Sequence, residues 1–325
     1  MFRVGIIGCG GISTVHAKVI HDLEDTTLVA CADIIPNRAK AMAEQYGCAT
    51  FEDYRQMLYE AKLDAVHICA PHYLHPEMVW EAAERGIAAF TEKPPAIDAE
   101  GWETVLEAAK KTPVGICFQN RYNPNVQACR KLIEGGEYGA LRGIRAFLTW
   151  NRTREYYAAA SWKGKWATEG GGALINQAIH TLDLALGFLG KPDVVEATMA
   201  NHHLRDAIEV EDTVEVYLKK GDVPALIYAS NAYSQDAPVL IELHLDAATV
   251  RLEGERLEIR SCDSIHQCAL ESAPSLGRAY WGSGHMACIR DFYRSITAKA
   301  PYANSPAACE TTVRVMLALY DGIKP

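Results

Sequence analysis

Short apolar runs with β-strand character alternate with amphipathic, helix-like stretches over the first 120 residues of the chain. Near-continuous apolar runs are typical of strands that are buried on both faces, and the helices between them supply the cover. The alternation therefore predicts a parallel sheet with helices on both sides. The predicted strands are Phe2–Ile7, Thr27–Ala32, a short run at Ala49–Phe51, Asp64–Cys69, Ile87–Phe90 and Val114–Phe118.

The pattern changes after residue 120, where strands begin to follow one another. A long apolar helix is predicted over Ala173–Leu189, directly after three glycines. Strand-like segments then lie at 193–201, 212–219, 224–231, 239–245 and 248–260, and helices are predicted at 285–298 and 306–320. Consecutive strands predict a mostly antiparallel open sheet. We therefore predict an α/β chain with a doubly wound parallel domain over 1–120 and an α+β domain over 121–325.

Composition and charge exclude several classes of protein. The formal net charge is −9 at pH 7, whereas a general binder of nucleic acid or of anionic membranes needs a basic face. No apolar run approaches the ~18 residues of a membrane-spanning helix. Ten cysteines without a CxxC pair are too sparse for a disulfide scaffold. With no targeting segment recognised, we expect a cytoplasmic protein that binds neither nucleic acid nor membrane.

A glycine-rich turn, Gly8-Cys9-Gly10-Gly11-Ile12-Ser13, follows the first predicted strand. Glycines here let backbone N–H groups approach a pyrophosphate at a helix N-terminus, and Ser13 replaces the usual third glycine. Asp33, at the end of the second strand, can accept hydrogen bonds from a ribose 2′-hydroxyl, which favours NAD over NADP. Arg38 can instead hold a 2′-phosphate, or it is a solvated helix residue.

Two other motifs carry polar side chains in places where chemistry can occur. Glu92-Lys93-Pro94-Pro95 follows a strand at the carboxyl end of the predicted sheet, where ligands bind in open α/β folds. On the predicted helix after the glycines, Asn176 and His180 lie four residues apart and so share a face, with Asp183 three residues further on. Such a polar stripe indicates either a satisfied core histidine or a functional site.

Five motifs in this order resemble the glucose–fructose oxidoreductase/inositol dehydrogenase (Gfo/Idh/MocA) family. They are the glycine-rich turn, Ala70-Pro71 with His75, Glu92-Lys93-Pro94, the Asn120-Arg121-Tyr122-Asn123-Pro124 segment, and the three glycines before His180 and Asp183. The resemblance implies an N-terminal Rossmann dinucleotide-binding domain and a C-terminal domain for substrate binding and oligomerisation. It also implies NAD(P)-dependent oxidation or reduction of a sugar, polyol or related cyclic alcohol or ketone.

The resemblance also implies roles for individual residues. Lys93 and His180 match the catalytic lysine and histidine of the family, and many members have Asp where this chain has Asn176, a neutral amide that can orient His180 but adds no charge. Substrate binding is expected from Lys93, Tyr122, Asn176 and His180. Cofactor binding is expected from Gly8, Gly10, Gly11, Ile12, Ser13, Asp33, Arg38, Pro71, His75, Glu92, Lys93, Asn120, Trp162 and Lys163.

A basic segment over residues 142–165 contains six arginines and lysines against one acid, Glu155. It can steer an anionic cofactor or substrate, or its charges are simply solvated. The aromatic residues of the same segment can stack on a sugar ring or anchor the loop. No histidine or cysteine group has the spacing of a structural metal site, and we expect no metal.

We therefore predict an NAD-dependent oxidoreductase, with NADP as a second cofactor, that acts on a small sugar-like molecule. His180 would be the general base, and Lys93 would hydrogen-bond to the reacting oxygen. One alternative is a dehydrogenase of nucleotide-linked sugars, and another is a non-catalytic regulator that senses the dinucleotide. The resemblance further implies a homo-oligomer, a dimer or a tetramer, formed through the C-terminal sheet.

Overall fold

The computed structural model describes residues 1–270, 276 and 282–323. The chain divides into two compact units. The first comprises Met1–Phe118 and His285–Glu310, and the second comprises Gln119–Gly284 and the residues from Thr311 onward. The sequence places the boundary near residue 120 but does not predict that the segment 285–310 belongs with the first unit.

The first unit contains a six-stranded sheet in the order β3-β2-β1-β4-β5-β6, and its strands pair in parallel. The strands are β1 Phe2–Ile7, β2 Thr26–Ala32, β3 Ala49–Phe51, β4 Ala65–Ile68, β5 Ala88–Thr91 and β6 Val114–Ile116. Its first helices are α1 Ser13–Asp22, α2 Pro36–Tyr46, α3 Tyr54–Glu60, α4 His75–Ala83 and α5 Ala99–Ala109. The predicted doubly wound parallel sheet is confirmed.

The second unit contains an eight-stranded sheet in the order β14-β13-β12-β11-β7-β10-β9-β8. Its strands are β7 Leu141–Thr149, β8 Val194–Ala200, β9 Thr213–Lys220, β10 Val223–Ser230, β11 Leu240–Leu245, β12 Ala248–Glu253, β13 Arg256–Ser261 and β14 Ile265–Gln267. Only β7 and β10 pair in parallel. The predicted mostly antiparallel sheet is therefore confirmed.

The helices of the remaining chain are α6 Pro124–Gly135, α7 Arg154–Ala158, α8 Ile179–Leu189, α9 His285–Ala298 and α10 Pro306–Tyr320. Within the described residues, no helix combines the length and apolar character that a membrane span requires. The single strand predicted over 248–260 is wrong, because the chain turns back at Gly254, with φ of +57°, and forms the β12–β13 hairpin. The short elements α7 and β14 were not predicted.

The helix α9 packs within the first unit through aromatic side chains. Phe292 and Tyr293 are fully buried, with ring centroids 5.1 Å from Phe90 and 5.0 Å from Phe2 respectively. The backbone carbonyl oxygen of Asn304, which follows α9, accepts a hydrogen bond from the N–H of Ile116, the last residue of β6. Burial of these aromatic rings explains why a segment distant in sequence completes the N-terminal sheet unit.

Candidate active site

The glycine-rich turn connects β1 to α1, as the sequence predicts. Gly8 has φ of +85°, and a Cβ there would lie 2.6 Å from the carbonyl oxygen of Cys69, so this position requires glycine. At Gly10 and Gly11 an added Cβ would meet none of the described atoms within 4 Å. Ile12, the N-cap of α1, offers no side-chain hydrogen bond to the first turn. Open space beside these N–H groups fits a pyrophosphate.

Asp33 lies directly after β2 and is buried. Its carboxylate accepts backbone hydrogen bonds from Cys9 at 2.7 Å and from Ile35 at 2.8 Å, so its charge is fixed beside the glycine-rich turn. The next residue, Ile34, is 88% exposed and places an apolar surface beside this carboxylate. Sequence reasoning missed Ile34, although an isoleucine in a polar turn was an available signal. Arg38 is exposed on α2.

A buried hydrogen-bond chain ends at Glu92. Its Oε1 lies 2.9 Å from His16 Nε2, His16 Nδ1 lies 2.8 Å from His67 Nδ1, and His67 Nε2 lies 2.8 Å from the hydroxyl of Tyr293. Burial opposes ionisation of Glu92, but the His16 hydrogen bond and the charges of His16 and Lys93 outweigh it and lower the pKa of Glu92. Burial lowers the pKa of His67. The Glu92 carboxylate is therefore ionised and held by His16, which sequence reasoning missed.

Lys93 is half-buried at the carboxyl end of β5. The loop that carries it lies against His75, whose Nδ1 lies 2.7 Å from the Pro94 carbonyl oxygen and whose Nε2 lies 2.8 Å from the Ala70 carbonyl oxygen. Burial lowers the pKa of His75, whereas the hydrogen bonds to Pro94 and Ala70 act in the opposite direction. The neutral ring donates to one of the two oxygens, and the imidazolium donates to both. The His75 ring thus lies between the lysine loop and the turn at Pro71.

The Asn120-Arg121-Tyr122 segment lies in the second unit, within a short 3-10 helix over Gln119–Tyr122. Gln119 Nε2 lies 3.4 Å from His180 Nε2. An amide N–H that faces this nitrogen suits a neutral histidine that accepts at Nε2 and carries its proton on Nδ1. Asn120 and Tyr122 are half-buried. Sequence reasoning missed Gln119, although it directly precedes the motif.

Asp183 accepts hydrogen bonds from Arg121 and Thr312. Arg121 donates to both carboxylate oxygens of Asp183, with Nε 2.8 Å from Oδ2, and Thr312 donates to Oδ1 at 2.7 Å. Asp183 is 1% exposed. These bonds make Arg121 and Asp183 a buried ion pair that anchors the Gln119–Tyr122 segment to α8.

Asn176 and His180 lie on a helix that starts differently from the prediction. The segment Ala173–Ala178 is a π-helix, and α8 follows it. Between residues 173 and 186, Asn176 and His180 are the two positions that are not buried. Gly172 precedes the π-helix, and a Cβ there would lie 1.9 Å from the Glu211 carbonyl oxygen. Since π-helical segments are rare and often occur at functional sites, the half-buried pair marks this helix as a candidate site.

A carboxylate missed by sequence reasoning lies against Asn176. Glu169 is fully buried and accepts a hydrogen bond from Asn176 Nδ2. Nearby, Glu211 accepts the backbone N–H groups of Gly172 at 2.8 Å and of Leu174 at 2.9 Å, and so holds the start of the π-helix. Asn176 therefore stands where many family members have Asp, but the carboxylate of Glu169 lies next to it. The position of Glu169 directly before three glycines is the sequence feature that could have marked it.

The basic segment of residues 142–165 is largely neutralised by carboxylates from elsewhere in the second unit. The ion pairs are Arg142 with Asp246, Arg145 with Glu242, Arg152 with Asp236, and Arg154 with Asp206. Lys163 Nζ lies 3.6 Å from the ring centroid of Tyr156, beside Trp162. The concentration of positive charge in the sequence is thus balanced in the fold.

The aromatic residues of this segment mainly anchor it. Tyr157 is buried with Leu204, Ile208 and Val210, and Trp166 packs against the same cluster. The hydroxyl of Tyr157 accepts a hydrogen bond from Asn231 at 3.0 Å. These contacts favour the anchoring interpretation for Tyr157 and Trp166.

One group of three potential metal ligands occurs in the part of the chain that the structure describes. His16, Glu92 and Cys117 are buried and bring their ligand atoms within 4.8 Å of one another. Two of these atoms already form the His16–Glu92 hydrogen bond. The group is accounted for by contacts of the chain itself, and the absence of a metal stays a prediction.

Comparisons with known proteins decide the family. Residues 2–119 match the oxidoreductase family with an NAD-binding Rossmann fold, and residues 126–251 match the GFO/IDH/MocA C-terminal domain. An inositol 2-dehydrogenase of Rhizobium meliloti (strain 1021) is 30% identical over 260 residues, which cover 78% of this chain and 76% of that protein. The chain belongs to the Gfo/Idh/MocA family. It is therefore an NAD-binding oxidoreductase, as the sequence predicts.

Two further relatives have different substrates in their names. A D-glucoside 3-dehydrogenase of Escherichia coli (strain K12) is 33% identical over 199 residues, which cover 59% of this chain and 55% of that protein. The crystal structure of the WlbA dehydrogenase from Bordetella pertussis, in complex with NADH and UDP-GlcNAcA, has a TM-score of 0.86 at 27% identity, and covers 98% of this chain and 95% of that chain. The family is thus clear, whereas its members differ in substrate.

Proposed function

We propose that the protein oxidises a secondary alcohol of a sugar or polyol to the ketone, or reduces the ketone, with NAD as the cofactor. The half-buried pair Asn176 and His180, between buried neighbours over residues 173–186, carries this proposal, because the helix that presents them begins as a π-helix and such segments often occur at functional sites. The inositol and glucoside dehydrogenases among its relatives support this substrate class.

In this proposal, His180 accepts the hydroxyl proton at Nε2, the nitrogen that faces the Gln119 amide. Lys93 donates a hydrogen bond to the reacting oxygen as that oxygen gains carbonyl character. NAD, when bound, accepts the hydride. The turn at Gly8, Gly10 and Gly11 would hold the pyrophosphate. Because both proposed catalytic side chains are retained, a non-catalytic sensor of the dinucleotide is the weaker alternative.

A panel of polyols, aldoses, sugar acids and nucleotide sugars, scored by reduction of NAD and of NADP, tests the proposal. Turnover of a free sugar or polyol would support it, whereas lack of turnover throughout the panel in both directions would contradict it. The similarity to the WlbA dehydrogenase favours a second candidate, a nucleotide-sugar substrate. The ion pairs of the basic segment weigh against a diphosphate site there, so we rank this candidate second.

Asp33 is expected to set the cofactor preference. Its fixed carboxylate would bind the ribose hydroxyl and repel a 2′-phosphate. Asp33→Ala should weaken NAD binding about 10- to 100-fold, the usual effect of losing hydrogen bonds to a charged group, and should reduce discrimination against NADP. Titration of both cofactors by fluorescence measures this. Tighter binding of NADP than of NAD by the wild type, lost in Arg38→Ala, would show that Arg38 sets the preference.

We further propose a homo-oligomer formed through the open face of the eight-stranded sheet. The π-helix and α8 pack on one face, while Phe147 on β7 and Leu226 on β10 remain 41% and 54% exposed on the other. Apolar side chains on adjacent strands favour a second copy of the chain as the partner. Leu226→Glu should lower the mass measured by light scattering to that of a smaller assembly. A wild type that is monomeric at all concentrations would contradict the proposal.

A further inference from the structure

Glu169 joins two segments of the second unit that carry predicted site residues. Its Oε2 accepts the backbone N–H of Gly164, and its Oε1 accepts a hydrogen bond from Asn176 Nδ2. Glu169 is 0% exposed. One buried carboxylate therefore holds both the Trp162-Lys163-Gly164 turn and the side chain of Asn176.

We propose that Glu169 is a positioning residue of the oxidoreductase site, which fixes the orientation of the Asn176 amide by accepting its Nδ2 hydrogen bond. This inference rests on the proposed function, in which Asn176 contacts the substrate. With Nδ2 directed toward Glu169, Oδ1 lies on the opposite branch of the amide and can only accept. Asn176 is then held in one orientation beside His180, which lies four residues further along the same helix face.

The charge of Glu169 changes close to neutral pH. Burial raises the pKa of its carboxyl to about 7, although the bonds from Gly164 and Asn176 act in the opposite direction. The other titratable groups that act on it from the surrounding elements are Lys163, which lowers the pKa, and Glu211, Tyr157 and Tyr320. Both charge states of Glu169 are therefore populated in the range where the enzyme is assayed.

Protonation should weaken the positioning. An ionised carboxylate accepts at both oxygens, which matches the two donors that face it. A protonated carboxyl carries one O–H that faces a group which also donates, so that bond is weakened unless the Asn176 amide turns and presents Oδ1 in place of Nδ2. Asn176 or the Gly164 turn is then held less firmly below pH 7 than above it.

The test compares kcat of the wild type with that of Glu169→Gln across pH 5.5–8.5, on a substrate found in the panel. Glutamine keeps the shape but has one acceptor oxygen, so it resembles the protonated form and does not titrate. The wild type should exceed the variant about tenfold at high pH, the effect of one unsatisfied buried donor. The ratio should fall toward one with a midpoint near pH 7.

Two further variants separate positioning from a general loss of structure. Glu209 is exposed and accepts a hydrogen bond from the backbone N–H of Trp166, two residues after Gly164. The ratio of wild-type kcat to that of Glu209→Gln should therefore not depend on pH. In an Asn176→Ala background, Glu169→Gln should lose most of its effect, since the positioned amide is absent. A ratio of wild-type kcat to Glu169→Gln kcat that is the same at every pH would overturn the proposal.

Thermal unfolding gives a readout that needs no substrate. Because the folded pKa of Glu169 lies above its unfolded value, its contribution to stability is present below the unfolded pKa and is lost as pH rises to about 7. The Tm of the wild type relative to Glu169→Gln should therefore fall between pH 5 and pH 8. If this shift occurs but no substrate is turned over, the proposed function fails. If turnover occurs with a flat kcat ratio, the positioning role fails.

Discussion

Replacing Lys93 by alanine is expected to lower kcat about 10²- to 10³-fold, the usual effect of removing one preorganised donor to a developing charge. Lys93 is half-buried two residues after β5, its loop lies against His75, and its backbone N–H donates to the Glu92 carboxylate. The affinity for NAD should stay within a few-fold, because the proposed partner of the ammonium group is the reacting oxygen. Steady-state kinetics and a cofactor titration measure the two quantities separately.

Lys110→Ala is the matched control, because Lys110 is exposed at the C-terminal end of α5 and pairs with the surface carboxylate of Glu107. It should leave kcat unchanged. Near-normal turnover in Lys93→Ala would place the chemistry elsewhere in the chain. A large loss of NAD affinity with unchanged kcat would instead make Lys93 a cofactor ligand.

Arg121→Ala is expected to destabilise the second unit by about 3–5 kcal/mol, the range observed when one partner of a buried ion pair is removed. The guanidinium donates to both oxygens of Asp183, which is 1% exposed and has Thr312 as a further donor. Without Arg121, the carboxylate is left in a low dielectric with one neutral hydrogen bond. Denaturant unfolding, followed by circular dichroism, measures the change.

The double variant Arg121→Ala with Asp183→Asn should recover a large part of that loss, because the buried charge is removed together with its partner. Arg154→Ala is a suitable comparison, since the pair of Arg154 with Asp206 is exposed and should contribute at most about 1 kcal/mol. Equal effects of Arg121→Ala and Arg154→Ala would show that the Arg121–Asp183 pair is solvated.

Much of the fold could be predicted because hydrophobic periodicity reports burial directly. The strand at Phe2–Ile7 and the helices at 285–298 and 306–320 were predicted with the observed bounds. Asp98 caps α5 through a hydrogen bond from the Gly101 N–H to its carboxylate at 2.8 Å. The β12–β13 hairpin was missed because a single Gly254-Glu255 turn interrupts an otherwise continuous strand pattern.

The candidate site could be predicted only where a motif marks it. Lys93, Asn176 and His180 stand in recognisable segments, whereas His16 and Gln119 do not, because their contacts join segments distant in sequence. Glu169 lies only seven residues from Asn176, but its complete burial is a property of the fold. The basic stretch of residues 142–165 shows the opposite error. Its charge looked concentrated along the chain, but the fold brings acids from β11 and from loops beside each of four arginines.

Local patterns of apolar residues and glycines specify the parallel N-terminal sheet and the glycine-rich turn, and five motifs in order already resemble the Gfo/Idh/MocA family. Only the tertiary structure decided that α9 packs with that sheet and that the helix of His180 begins as a π-helix. It also decided that Asn176 lies against a buried carboxylate with a raised pKa. Burial, dielectric and partner distance are properties of the packed chain, and no local pattern of residues encodes them.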